Sequence, residues 1–216
     1  MILALETAAY RSASVALVDG DALVRQVELP AGRAVTVQIL NAVRDVFAAA
    51  GVGREALDAI AVDRGPGSFT GIRIGIATAQ GLADGWGVPA LGVSAFELFP
   101  AAGAAGESQA VFIDAHAGKG LYYEMRAGSE AVKRGFVKRA EVAALLNAQA
   151  AGGVASGEVH AADLAGTAWR HVPVPGEISA GALGRATARG RAAGAPQPLE
   201  ALYLHTPFLT MRERGL

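Results

Sequence analysis

The run Gly65-Pro66-Gly67-Ser68-Phe69-Thr70-Gly71-Ile72-Arg73-Ile74-Gly75-Ile76-Ala77-Thr78-Ala79 constrains this chain more than any other. It follows an apolar strand-like stretch, Ala59-Ile60-Ala61-Val62, and opens a helix. Gly65, Pro66 and Gly67 predict a tight turn, because glycine tolerates positive φ and proline fixes its own. Ser68 is placed to cap the helix in preference to acting as a nucleophile. Gly71, Gly75 and Ala79 recur every four residues and leave one helix face almost bare. A strand, a glycine turn and a helix N-terminus together make a potential anion site. The order of residues matches neither a Walker loop, which needs Gly-Lys-Ser/Thr, nor a Gly-x-Ser-x-Gly nucleophile elbow.

Between Phe69 and Asp84 the only formal charges are Arg73 and Asp84. A helix on the outside of a free domain normally carries a charged stripe opposite its apolar one. Apolar residues here surround most of the circumference, so a second domain or a partner protein is expected to cover the outer side. That makes the helix a packing and docking surface first, with the turn as a residual phosphate contact.

Composition narrows the function classes. A formal net charge of −1 over 216 residues gives no general grip on nucleic acid. There is no cysteine, hence no disulfide framework and no thiolate chemistry. His116, His160, His171 and His205 lack metal-ligand spacing, so no protein-held metal is expected. The N-terminus has no signal-peptide pattern, and no apolar run approaches the ~20 residues that span a bilayer. A soluble, cytoplasmic protein is expected.

The chain also repeats itself. Ile2–Leu5 is a strand ending at Glu6-Thr7, followed by a hairpin whose turn is Asp19-Gly20-Asp21. Val111-Phe112-Ile113-Asp114 reopens the same pattern, with Asp114 standing 108 positions after Glu6. Helices are expected over 35–50, 68–84, 141–151 and from Ser179 onward, with further strands at 90–93, 154–156 and 172–174. The division is a first lobe over 1–99, a degenerate second lobe over 100–194, and a tail over 195–216 docked on the first lobe. Two lobes facing one cleft would bring Glu6 and Asp114 to a polyphosphate and its Mg²⁺ from opposite sides; alternatively each acid merely caps a turn.

The segment Val62-Asp63-Arg64-Gly65-Pro66-Gly67-Ser68-Phe69-Thr70-Gly71-Ile72-Arg73-Ile74-Gly75 resembles the TsaB (YeaZ) family, as do Ile2–Glu6, Ile113-Asp114-Ala115 and Leu202-Tyr203-Leu204. The resemblance implies an α/β, two-lobed actin/Hsp70-like (ribonuclease H-like) fold. It implies a non-catalytic, peptidase M22-like inactive homologue that partners TsaD, the subunit that transfers threonylcarbamoyl to an adenosine beside the tRNA anticodon. An ATPase, TsaE, would complete the assembly, and tRNA would be met only through the complex. The family's docking helices correspond to about 33–50 and 68–84, which also serve self-association as a homodimer. The interface residues so implied are Arg33, Ile39, Val43 and Phe47 on the first, and Phe69, Ile72, Arg73, Ile76 and Gln80 on the second. Nucleotide or phosphate contacts would come from Glu6, Thr7, Gly65, Gly67, Ser68 and Asp114. The chain would hold no cofactor of its own, with ATP or ADP and Mg at the boundary with the partner.

Departures from the family pattern are Glu6 in place of Asp, Val35-Thr36 in place of His-Ser, and His116 and His205 in place of arginines. The rival expectation is a phosphotransferase or ATPase of the same fold using Glu6 and Asp114. A metallo-glycoprotease founders on the missing histidine motif.

Overall fold

A computed structural model describes residues 1–30, 33–99, 104, 107–115, 120–127, 130–149, 152–173, 178–194 and 198–204, without the side chains of 33 and 34. The Arg33 side chain, His116, His205 and the tail beyond 204 lie outside the described residues.

The first half runs β1 (Ile2–Glu6), β2 (Ser12–Asp19), β3 (Ala22–Pro30), α1 (Arg33–Ala50), β4 (Ala59–Asp63), α2 (Phe69–Trp86) and β5 (Ala90–Val93). Its sheet has the order β3-β2-β1-β4-β5. β1, β2 and β3 are antiparallel, and β4 and β5 run parallel to β1. The second half runs β6 (Ser108–Ala115), β7 (Gly120–Ala127), β8 (Glu130–Lys138), α3 (Val142–Asn147), β9 (Gly153–Gly157), β10 (Arg170–His171) and α4 (Ala180–Ala192). Its sheet is β10-β9-β6-β7-β8, the same diagram in mirror listing. Both hairpins break register at matching places, between Leu17/Val18 and between Met125/Arg126. The duplication legible in the sequence therefore extends to its bulges. Gly20, at φ 58°, supplies the left-handed turn that Asp19-Gly20-Asp21 predicts.

Strand alternation divides the apolar residues into three layers. One face of the first sheet (Leu3, Leu5, Val15, Leu17, Ile60, Val62) is covered by α1 through Val35, Ile39, Val43 and Val46, and by α2 through Ala79 and Ala83. The other face (Ile2, Ala4, Ala16, Val18, Ala61) meets Phe96, α4 through Ala180 and Leu183, and the near face of the second sheet through Val111, Ile113 and Tyr122. The far face of the second sheet (Phe112, Leu121, Tyr123, Met125) packs on Val142, Leu146 and Trp169. Tyr122 and Tyr123 thus serve opposite faces, as period-two alternation requires.

Three expectations change. α3 ends at Asn147, so the helix expected over 141–151 is shorter. The last strand is Arg170–His171, paired with Val154 and Ala155, and not 172–174. α4 is also misplaced by a division that assigns all of 100–194 to the second lobe. It lies on the first sheet: the Ala180 N–H donates to Ser14 Oγ at 2.8 Å and the Gly181 N–H to Gln26 Oε1 at 2.8 Å. A side chain at Gly184 would strike Val18, so only a bare helix face fits this close over β1 and β2. The chain leaves the first lobe, builds the second, and returns. Residues 198–204 also lie on the first lobe, where the Leu202 N–H donates to the Arg64 carbonyl at 2.7 Å.

Candidate functional site

Glu6 ends β1 and Asp63 ends β4. The parallel register pairs Leu5 with Val62, which sets the two acids side by side on the face turned toward the second sheet. Their relative exposures are 0% and 1%. Glu6 Oε1 accepts from the Ala8 and Ala9 N–H groups, each at 2.8 Å, and Asp63 Oδ1 from the Gly65 N–H at 2.7 Å. Glu6 Oε2 and Asp63 Oδ2 have no hydrogen-bond partner among the described residues. Burial, and then the charge of Asp63, push Glu6 well above the ordinary carboxylate range. Burial lifts Asp63 to about 7, against the opposing pull of the Gly65 N–H and Arg64. Two buried neighbouring carboxyls cannot both ionise cheaply, so the pair retains a proton near neutrality.

The opposite wall belongs to the second sheet. Asp114 lies one residue before the end of β6, and its N–H donates to Glu158 Oε2 at 2.6 Å. Arg11 Nε and Arg139 Nη2 each lie 3.8 Å from an Asp114 oxygen. Burial raises Glu158. Between the walls is a cavity of about 90 Å³ lined by Tyr10, Arg11, Asp63, Gly67, Asp114 and Glu158, among others. Sites for drug-sized ligands run to ~300–1,000 Å³. Tyr10 narrows the space, its hydroxyl donating to the Gly67 carbonyl at 3.2 Å.

The expected phosphate contacts are spent inside the chain. The Thr7 hydroxyl donates to the Gly71 carbonyl at 2.8 Å. The Ser68 N–H donates to the Ala8 carbonyl at 2.6 Å, and Ser68 Oγ caps α2 by accepting from the Gly71 N–H at 3.2 Å. The Gly65 N–H is held by Asp63, and Gly67 lies against Ala8. Asp114 does line the cavity, but the first-lobe acid that reaches it is Asp63, since Glu6 turns to the amides of its own loop. Asp63 and Glu158 were missing from the sequence expectation. The signal was present: β1, β4, β6 and β9 each end on or beside an acid.

The bare face of α2 has the same inward destination. A Cβ on Gly67 would strike the Ala8 carbonyl, on Gly71 the Thr7 carbonyl, and on Gly75 Thr7 Oγ1. This face packs on the loop after β1 and is not a docking surface. Ile39, Val43 and Ile72, expected at the partner interface, are likewise buried in the first lobe's own core, because each lies on its helix's inward stripe.

What faces outward is different. Val37 and Leu40 on α1 are 77% and 59% exposed. Sequence reasoning passed over both, because they fall off the inward stripe of an otherwise apolar helix. On α2, Arg73 and Gln80 are exposed while Phe69 and Ile76 are half-buried. The Arg73 guanidinium sits 3.8 Å above the Phe69 ring, which rests at 5.0 Å from Tyr203. Half-buried Phe47 meets Trp86 edge-on at 5.9 Å, tying α1 to α2. The outer side of α2 thus carries one pre-positioned cation, Arg73, with Asp84 its other formal charge.

The family model described as "TsaD: tRNA N6-adenosine threonylcarbamoyltransferase" matches residues 29–176, more than half of the chain. The chain belongs to the TsaD family, in its TsaB (YeaZ) branch. The branch follows from the relatives. The tRNA threonylcarbamoyladenosine biosynthesis protein TsaB of Escherichia coli (strain K12) is 45% identical over 93 residues, 43% of this chain and 39% of that protein. Its namesake in Haemophilus influenzae is 41% identical over 108 residues, 46% of this chain and 45% of that one. The match thus spans less than half the length of these curated relatives. The solved structure of YeaZ from Pseudomonas aeruginosa is 26% identical with a TM-score of 0.68, covering 94% of this chain and 99% of that one. The two-lobed actin/Hsp70-like fold accords with that likeness. Among the described residues no helix is long and apolar enough to cross a membrane.

Proposed function

We propose that this chain is a non-catalytic accessory subunit in tRNA threonylcarbamoyladenosine formation, docking a TsaD partner through the outward faces of α1 and α2. The observation that carries the reading is that face: Val37 and Leu40 largely exposed beside a helix whose outer side bears only Arg73 and Asp84 as charges. Exposed apolar area of this kind marks an interaction site, and a stable interface would bury roughly 1,600 Å² in total. The names of its relatives supply the pathway, and TsaE completes the assembly in the cytoplasm. The chain alone forms a homodimer, and tRNA is engaged only through the complex.

The cleft supports an accessory role. Its Gly65 and Ser68 amides are already bonded within the chain, and its cavity, about 90 Å³, is small. ATP or ADP with Mg²⁺ therefore belongs at the boundary with the partner. A phosphotransferase using Glu6 and Asp114 has no comparable support, because Glu6 is held by Ala8 and Ala9.

Titration calorimetry against the TsaD of the same cell tests the reading. Val37→Glu and Leu40→Glu are expected to weaken binding a hundredfold or more, as buried unpaired charges do. Val132→Glu, on β8 and equally exposed at 63%, leaves affinity unchanged. Unaltered binding by both α1 variants sinks the proposal.

A further inference from the structure

The first lobe is a control for the hairpin of the second. Ala16 and Val18 pack in one core with Ala180 and Leu183 of α4, and Gln26 accepts from the Gly181 N–H. Their counterparts at the 108-residue offset are Glu124, Arg126 and Arg134. The cross-strand pairing is preserved, Ala16 opposite Gln26 and Glu124 opposite Arg134. A hairpin of this geometry therefore needs no charge at these places. In the second lobe Glu124 is nevertheless buried, with Arg126 Nε on one carboxylate oxygen and Arg134 Nε on the other, each at 2.6 Å. Arg126 then reaches out of its own sheet. Its Nη2 donates to the Phe96 carbonyl at 2.7 Å and its Nη1 to the Phe99 carbonyl at 3.1 Å. Those carbonyls belong to the segment by which the chain crosses from β5 to the second lobe, beginning with a short 3-10 helix over Ala95–Leu98. The start of that segment is fastened to the first lobe: the Ala95 N–H donates to the Gly65 carbonyl at 3.0 Å, and Ser94 and Glu97 close a capping box. Phe96, Leu98 and Phe99 fill the core between the two sheets.

We infer that Arg126 is a latch between the lobes: aimed by Glu124, it grips the crossing segment and so holds the cleft between Asp63 and Asp114 at one width. A planar guanidinium can meet a carboxylate through Nε and two carbonyls through its Nη pair at once, which an ammonium cannot. Carbonyls that end a helical turn attract a cation. Glu124 balances one of the two arginines, and the carbonyls of Phe96 and Phe99 receive the charge of the other. A buried ion triad of this kind adds little net stability over apolar side chains of the same size, so its effect here is to specify one arrangement of the lobes. The latch does not depend on the docking surface, since none of its residues lies on α1 or α2.

The chain has no cysteine, so Glu55→Cys and Val132→Cys, both at exposed positions, put one spin label on each lobe. Double electron–electron resonance, with the labelled chain diluted in unlabelled chain, is expected to give a single narrow distance. Arg126→Lys keeps the charge and loses the fork. It broadens the distance distribution, and hydrogen exchange across residues 95–99 quickens by about tenfold or more. A triple variant, Glu124→Leu with Arg126→Met and Arg134→Leu, leaves no buried charge unpaired. It keeps a urea midpoint close to the parent's and shows the same broadening. A broad distribution in the parent, or a triple variant as narrow as the parent, overturns the latch. Exchange that quickens equally throughout the chain in both variants overturns it too, because the three residues then serve stability alone.

Discussion

Gly71→Ala is expected to destabilise the protein by about 3 kcal/mol, while Gly81→Ala, ten residues further along the same helix, stabilises it by up to about 1 kcal/mol. The two substitutions are chemically identical and α2 is helical at both positions. At Gly71 the added methyl would strike the Thr7 carbonyl, a backbone atom anchored by the Thr7 hydroxyl's own bond to the Gly71 carbonyl at 2.8 Å. Neither side can yield without moving β1 or the helix. At Gly81 nothing lies within 4 Å, so only the helix propensity gained over glycine remains. Urea denaturation at a concentration where the chain is monomeric reads both. Equal effects at the two positions would mean that the bare inner face is not what seats α2 on the loop after β1.

The second large effect is in pH. Folded Asp63 titrates at about 7, above the ~3.9 of an unfolded aspartate, and Glu6 is raised in the same sense. The folded chain therefore binds protons that the unfolded chain releases. The stability this contributes is fully present below about pH 4 and is lost as pH rises toward 7, at ~1.4 kcal/mol per unit for each group. Asp63→Asn removes one of the two ionisations. Its amide oxygen still accepts from the Gly65 N–H, and its NH₂ stands where a carboxylate repelled Glu6. The variant is expected to exceed the parent in stability at pH 8 by on the order of 3 kcal/mol and to lose roughly half of the fall between pH 5 and 8, Glu6 keeping the rest. Melting curves at those two pH values check this. Parallel pH profiles for parent and variant would show that Asp63 ionises freely in the fold.

Much of the architecture was legible because it depends on neighbours in sequence. Asp19-Gly20-Asp21 makes its turn with whatever strands flank it. Ser68 caps α2 through a bond to the Gly71 N–H only three residues away. The 108-residue echo of Glu6 in Asp114 needed only comparison of the chain with itself. Asp63 and Glu158 stand at the end of and just beyond β4 and β9, the strands that pair parallel with β1 and β6, but they are 95 residues apart instead of 108, so that comparison did not align them.

The remainder depended on which surfaces meet. Apolar residues around most of α2, and Val37 and Leu40 beyond the main apolar stripe of α1, leave the inward direction undetermined until the helices lie on a sheet. Only then do Ile39, Val43 and Ile72 fall inside and Val37 and Leu40 outside. Likewise the glycine row of α2 announces a close approach without naming its partner, which proved to be Thr7 and Ala8. α4 follows the second lobe in sequence yet packs on the first, through bonds from its first turn to Ser14 and Gln26. By itself the sequence determined the elements, their duplication and the cap that starts α2, since hydrogen bonding and backbone preference act over a few residues. The tertiary structure alone decided which acids are buried side by side and which helix face is left for a partner. Burial is a property of the whole packed chain, and it sets both.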